Sequence, residues 1–420
     1  MISSGVNCPS VLISHCHGNA NVRNAAKAFA ESGQLAEFWT GVAWNPEFPI
    51  AKIIPGNFLR QLERRSLDPE LRSALRLHPW RESLRLLSQI LDLPSRSWRS
   101  LSSNACSEGL DRAVAQSLSS GKSKNIKTIY AYDHGALETF RAAGRRGLRR
   151  IYDLPIGYWR ALEEVIRHER TAWPDWHALD PNHAFGGNEF LRKDDEIALA
   201  DEIVVPSTFV YRTLTSHYDN LPPVKVIPFG APMGRGPDSR LAIDNMDRPL
   251  RVLYAGSLSL RKGTPYLLKA LSHFGKRIDS TVVGRMSGPC EPARRLLSGV
   301  NWIESLPHAD LLSLMRASDV FVFPTLFEGF ALVSLEAMSQ GCALITTRSF
   351  GGEELIDHGR NGFLIPERSI DAIVDVIEQL DSDRTLLCGI RRSSMATAAQ
   401  CTWDVYRQSI RNLVGNPRVA

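Results

Sequence analysis

The sequence predicts two doubly wound α/β units joined by a linker, on three observations. Short apolar strand patterns alternate with helical patterns through both halves of the chain. The alternation breaks once, at Gly230–Pro249, where prolines 232, 237 and 249 and glycines 230, 234 and 236 interrupt any periodicity. A length of 420 residues also exceeds what one core usually organises, and suits two units of roughly 200 residues each.

In the first half, Val11–Cys16 reads as a strand and Asn19–Ser32 as an amphipathic helix ended by Gly33. Ile126–Ala131, Arg150–Leu154, Ile203–Ser207 and Val224–Pro228 are further strands. Helices are expected at Ala136–Ala143, beyond Leu154 to Arg170, and at Asp194–Asp201 and Thr208–Tyr218. In the second half Arg251–Ala255, Ser280–Gly284, Trp302–Glu304, Val320–Pro324 and Ala343–Thr347 are strands. Thr264–His273, Ala309–Arg316, Ala331–Gln340, Glu353–Ile356, Ile370–Leu380 and Thr402–Leu413 are helical. Between Leu59 and Arg99 nine arginines oppose five acids, interleaved with leucines and with Trp80 and Trp98. This reads as a helical insertion over about 56–105, either a solvated face or a surface suited to an anionic membrane.

Composition narrows the classes. A hydrophobic fraction of 43% with 23% charged residues is ordinary for a globular chain, and a net charge of +5 is too small to argue for nucleic acid. Seven cysteines, scattered and without metal-ligand spacing, suit a reducing compartment. No apolar run approaches the length of a membrane span, and the first residues lack a secretory pattern. The expected location is therefore cytoplasmic, peripheral on the inner membrane face if the arginine-rich segment binds lipid. Asp381-Ser-Asp383 lies between two helical segments and reads as a helix cap, so no metal site is expected.

The chemistry concentrates in the second half. In VFVFPTLFEGFALVSLE an apolar strand breaks at Pro324, a loop carries Glu328 and Gly329, and a helix follows with Glu336 inside it. Free N–H groups and the dipole at such a helix start attract an anion, and carboxylates accept hydrogen bonds from sugar hydroxyls. Two glutamates eight positions apart on one helix would stand about 12 Å apart along its axis. That span suits a diphosphate flanked by two sugars. In YAGSLSLRKG a strand end at Gly256 leads to Arg261 and Lys262, a cationic pair for a diphosphate. Neither a phosphate-binding GxxxxGK[ST] loop nor a GxGxxG after the first strand is present. Gly351 and Gly352 are placed for close backbone approach to a ligand. In the first half, the His15–Arg23 loop and Tyr132-Asp-His-Gly135 follow strands, offering His15, His17, Gly18 and His134 to the same cleft. Asp153, Tyr158, Trp159 and Arg160 are candidates for an acceptor site.

Three segments in register, YAGSLSLRKG, ADLLSLMRASDVFVFPTLFEGFALVSLEAMSQGCALITT and GGEELIDHGRNGFLIP, resemble the donor domain of retaining glycosyltransferase family 4. The N-terminal half is similar more loosely, through SHCHGNANVRNAAKAF and ADEIVVPSTFVYRTL. The resemblance implies a GT-B fold, two Rossmann-like domains whose parallel sheets face a central cleft. It divides the chain into an acceptor-side domain at 1–232, a donor domain at 233–400 and, at 401–420, a helix crossing back to the first domain. It implies a hexosyltransferase that keeps the anomeric configuration, with a nucleotide-sugar donor, a glycan or lipid-linked acceptor, and no metal or other cofactor. Glu336 would bind the donor ribose and Glu328 the transferred hexose. Phe330, Ala331 and Leu332 would hold hexose and diphosphate through their backbone. Arg261 and Lys262 would bind the diphosphate, Gly18 would let the N-domain loop close on it, Gly256 would be among the donor-binding residues, and His134 would contact the sugar. The sequence departs from the family at Ser257, where many relatives carry arginine; Arg261 is the candidate substitute.

Two other readings use the same fold. One is a catalytically silent nucleotide-sugar-binding subunit of a transferase complex, which Ser257 favours. The other is a UDP-sugar epimerase, which needs a different set of cleft acids.

Overall fold

A computed structural model describes residues 10–44, 62, 65–90, 102–180, 187–231 and 248–415. Its frame is two parallel sheets. The first has seven strands, β1 (Val11–Ser14), β2 (Leu35–Thr40), β3 (Leu75–Leu77), β4 (Thr128–Tyr132), β5 (Arg149–Asp153), β6 (Glu202–Val205) and β7 (Val224–Val226), in the order β3-β2-β1-β4-β5-β6-β7. The second has six, β8 (Arg251–Ala255), β9 (Asp279–Val283), β10 (Asn301–Ile303), β11 (Val320–Phe323), β12 (Ala343–Thr346) and β13 (Gly362–Leu364), in the order β10-β9-β8-β11-β12-β13. Strands buried on both faces read as continuous apolar runs, and VLIS and VFVF are fully buried.

The first domain carries helices α1 (Ala20–Glu31), α2 (Trp80–Ile90), α3 (Ser103–Ser119), α4 (Leu137–Arg145), α5 (Trp159–Ala172), α6 (Asn188–Leu199) and α7 (Thr208–Thr215). The second carries α8 (Thr264–Phe274), α9 (Glu291–Leu297), α10 (His308–Ala317), α11 (Leu332–Ser339), α12 (Ile370–Ser382) and α13 (Arg384–Gln400). The Asp383 side chain accepts from Leu386 N at 2.8 Å and caps α13. A last helix, α14 (Trp403–Gly415), lies on α1 of the first domain, where Arg407 and Arg411 both pair with Glu31. Gly230 makes that crossing possible, since a Cβ there would meet Trp403 N at 2.3 Å.

Each sheet reverses its strand order once, between β1 and β4 and between β8 and β11. Ligands of open α/β sheets bind outside the carboxyl ends of the strands at such reversals. The crossovers are thus what bring the loops after these four strands to the cleft.

The arginine-rich segment differs from its expectation. Its described residues are not helical throughout: β3 pairs with β2 as the edge of the first sheet, and α2 follows it. Arg60, Arg64, Arg96 and Arg99 lie outside the described residues. Arg65 and Arg85 are drawn inward by Glu82, whose side chain is fully buried. Most of the expected linker, 232–247, lies outside the described residues as well.

Candidate functional site

The donor-side group assembles because the loop after β8 lies against the turn after β11. Gly263, at φ 68°, is needed there twice over: its backbone is left-handed, and a Cβ would stand 2.1 Å from the Pro324 carbonyl oxygen. The Leu326 amide donates to the Arg261 carbonyl at 2.9 Å and fixes the register of the two loops. Arg261 Nη1 then donates to the Phe327 carbonyl at 2.6 Å and approaches Glu328 at 3.2 Å. Lys262 Nζ is in direct ionic contact with Glu328 and lies 4.7 Å from the Phe323 ring centre.

The three charged side chains are between 11% and 20% exposed, so a single carboxylate neutralises two largely buried cations. Burial and the charge of Arg261 push the Lys262 ammonium well below its ordinary pKa, and the Glu328 carboxylate opposes that push. Burial likewise lowers Arg261. Glu336, inside α11, accepts from His308 of α10 at 3.0 Å; burial raises its pKa and the histidine partly offsets this. No side chain caps the start of α11. The Ala331 amide donates to Phe350 O and the Leu332 amide to Phe330 O, so a ligand would take these two expected donors only in exchange for internal partners. Gly351 allows a close approach, as expected, but to protein: its Cβ would lie 2.0 Å from Gly329 O. The space is used for packing one loop on another.

On the facing domain, His15 and Gly18 follow β1. His15 Nδ1 accepts from the amides of His17 and Gly18, both at 3.1 Å, which leaves Nε2 to carry the proton. Burial, with the adjacent His17, lowers His15 to about 3, so the ring is neutral at physiological pH. Gly18 adopts φ 57° and its carbonyl accepts from Arg23 at 2.7 Å. His134 follows β4 with a left-handed φ of 63°. Its amide donates to Glu196 at 2.9 Å, and the same carboxylate accepts from Ala136 N and Tyr152 Oη. Burial raises Glu196 to about 7, while the Ala136 amide and Arg192 pull it down.

Asp153 does not join Tyr158, Trp159 and Arg160. It is buried against Tyr130 at 2.6 Å, whereas the other three converge on Asp194. Asp153 is the last residue of β5, whereas Tyr158 is the N-cap and Trp159 and Arg160 are the first residues of α5, beyond the intervening loop.

The two sides meet directly. A Cβ on Gly329 would lie 1.7 Å from Pro155 O, and one on Gly157 would lie 2.4 Å from the Phe327 ring, so the Pro155–Gly157 loop rests on the loop that carries Glu328. Ser207 Oγ donates to Gly329 O at 2.7 Å, and Arg212 pairs with Glu353. On another face, buried Glu169 of α5 accepts from Tyr266 Oη at 2.9 Å and Arg368 Nε at 2.7 Å. Sequence reasoning missed Glu196, Glu169, Ser207 and His308. Each acts on a residue at least 28 positions away, and no local pattern marks it.

Comparisons with known proteins bear on the fold and on the second domain. Residues 249–383 match the family model described as Glycosyl transferases group 1. A D-inositol 3-phosphate glycosyltransferase of Pseudarthrobacter chlorophenolicus is 30% identical over 165 residues, 36% of this chain and 39% of that protein. An alpha-maltose-1-phosphate synthase of Mycolicibacterium smegmatis is 25% identical over 298 residues, 60% of this chain and 76% of that protein. The match spans 39% of the first of these relatives and 56% of another D-inositol 3-phosphate glycosyltransferase, from an Arthrobacter species. Among solved structures, Anabaena Alr3699/HepE in complex with UDP and glucose superposes with a TM-score of 0.63 at 17% identity, covering 97% of this chain and 99% of that one. Sucrose-phosphate synthase from Thermosynechococcus elongatus gives 0.63 at 17% identity, covering 96% and 98%. At that identity the likeness speaks for the fold. The chain has the GT-B architecture, and residues 249–383 of its second domain are similar to the group 1 glycosyl transferases.

Proposed function

We propose that the protein transfers a hexose from a nucleoside-diphosphate sugar to an acceptor hydroxyl, with retention of anomeric configuration, in the assembly of a glycan or glycolipid. The observation that carries this reading is the pair of largely buried cations, Arg261 and Lys262, sharing the single carboxylate of Glu328. One positive charge remains over, at the carboxyl end of β8, within reach of the uncapped start of α11. A diphosphate supplies the missing negative charge and also accepts from helix amides.

In this reading Glu328 gives up its cations to the diphosphate and turns to the hexose hydroxyls, and Glu336 holds the ribose. Arg261 and Lys262 stabilise charge on the leaving diphosphate, so the proposed reaction needs no metal. The acceptor hydroxyl attacks from the face the diphosphate leaves, within a short-lived ion pair. The Pro155–Gly157 loop and His134 close the site against water. The UDP and glucose bound in the Anabaena neighbour support a nucleotide sugar of this type.

Membrane association is part of the same proposal. Leu77, Trp80, Leu84 and Leu87 are exposed along β3 and α2, and Arg72 and Arg76 lie beside them. Among the described residues no helix is long and apolar enough to cross a membrane, so such an association would be peripheral.

Metal-free incubation with UDP-, GDP- and ADP-hexoses tests the chemistry. Nucleoside diphosphate release is followed together with the anomer of the freed hexose by NMR. Slow consumption of one donor, releasing the sugar first in the donor's own configuration, is expected. Release of the opposite anomer would contradict retention. Donor binding without turnover, even with candidate acceptors present, would favour the silent-subunit reading.

A further inference from the structure

The niche around Glu82 also contains two sulfurs. Cys16 lies in the loop after β1, between His15 and His17, and Cys106 lies in the first turn of α3. Both are buried, at 4% and 1% exposure. Their sulfur atoms and a Glu82 oxygen lie within 4.8 Å of one another, and the two thiols are in hydrogen-bonding contact.

A soft metal ion and a thiol pair both suit such a cluster, and Glu82 decides between them. A carboxylate has about four acceptor positions. Oε1 already accepts from Arg65 at 2.8 Å and Arg85 at 2.6 Å, while Oε2 accepts from Arg85 at 2.7 Å and faces His17 Nδ1 at 3.3 Å. Three of these positions are taken and the fourth faces His17, and a dication would sit beside two guanidinium groups. The guanidinium groups favour a thiolate, and the Glu82 carboxylate opposes them.

We propose that Cys16 and Cys106 form a redox pair that closes to a disulfide under peroxide and tethers the His15–Gly18 loop to α3. The Cys16 thiol donates to Cys106 and, against burial and Glu82 and with help from Arg85 and Arg81, holds the Cys106 thiol below its usual pKa, which makes it the nucleophile. Cys106 thiolate attacks one peroxide oxygen, breaking the O–O bond. It becomes a sulfenic acid, and the released hydroxide takes a proton to give water. Cys16 then attacks the sulfenic sulfur, forming the S–S bond and expelling a second water. Two thiols are oxidised and one peroxide is reduced to two waters. Burial restricts the oxidant to molecules about the size of water, which hydrogen peroxide satisfies and aromatic disulfide reagents do not.

Closure draws the sulfurs from contact distance to about 2.05 Å. The movement falls on the loop whose amides bind His15 Nδ1 and whose Gly18 precedes α1. This redox chemistry stands apart from the transferase reading; only a change in turnover on oxidation would rest on that reading.

The test treats the full chain with hydrogen peroxide, alkylates remaining thiols under denaturation and maps the peptides. Cys388 and Cys401, partly exposed, serve as internal comparisons. The expected result is one cross-linked peptide joining residues 16 and 106, reversed by dithiothreitol and absent in Cys106→Ser. Amide exchange across residues 15–18 should slow on oxidation. Recovery of both cysteines alkylated, after peroxide has oxidised Cys388 or Cys401, overturns the proposal. A disulfide to another cysteine overturns it too. Stoichiometric zinc retention by the untreated chain, lost in Cys16→Ser, would replace it with the metal site. The wild-type peptide map decides the matter even if either variant fails to fold.

Discussion

Asp153→Asn should make the protein more stable relative to wild type at pH 8 than at pH 5. Asp153 ends β5 with 1% of its surface exposed, one residue before the loop that rests on Phe327–Gly329. Burial raises its pKa from 3.8 to about 7; the hydrogen bond from Tyr130 pulls it down and nearby Asp133 pushes it up. Tyr132 and, from the C-terminal helix, Tyr406 enclose the same carboxyl. A carboxyl with a raised folded pKa binds its proton in the native state while the unfolded chain has already released it. Stability from this group is therefore present below pH 3.8 and lost as pH rises to about 7. Three pKa units correspond to about 4 kcal/mol, of which about 3 kcal/mol falls between pH 5 and pH 8. Asparagine keeps an acceptor for Tyr130 and does not ionise. Urea unfolding of both proteins at the two pH values reads the difference of differences, which cancels Glu196 and every other titrating group. Parallel pH dependences for the two proteins would refute the reasoning. A variant that loses more stability relative to wild type at pH 8 than at pH 5 would show that Asp153 is ionised and held as an anion.

Other consequences are as direct. Glu328→Gln frees Arg261 and Lys262 from their internal carboxylate, so a calorimetric titration should find free nucleoside diphosphate bound as tightly as before or tighter, while donor turnover falls. Glu336→Ala should weaken free nucleoside diphosphate and nucleotide sugar alike, by about tenfold or more, because both carry the ribose. Glu169→Ala removes the buried acceptor of Tyr266 and Arg368 between the domains, leaves Arg368 on Glu367, and should cost about 1–3 kcal/mol in chemical denaturation. Gly329→Ala places a methyl group against the Pro155 carbonyl. Small-angle scattering should then report a more open molecule, and donor hydrolysis should fall.

The sheets were legible because parallel strands are buried on both faces and write themselves as short apolar runs; VFVF, RVLYA and VLIS needed no tertiary information. The donor-side loops were legible because glycines at 256, 263 and 329 punctuate them. β2, β3 and β13, absent from the sequence reading, were not: β3, a three-residue edge strand, has no period of its own, and its pairing with β2 is decided by residues 37 positions away. Glu82 was counted among the solvated charges of a basic helix, yet it organises the interior of that region, since Arg65 and His17 reach it from outside its own helix. The same holds for Glu196 beneath His134 and Glu169 between the domains. Buried acids of this kind are made by the fold, and a linear pattern records only that an acid is present.

The central claim, that Arg261, Lys262, Glu328 and Glu336 form a nucleotide-sugar site, is tested most directly by titrating the purified chain with UDP-, GDP- and ADP-hexoses in the presence of EDTA. The account predicts that one donor binds, and that Lys262→Ala and Glu336→Ala each weaken it while leaving the circular dichroism unchanged. Binding to none of the donors, or binding that neither substitution alters, would contradict it.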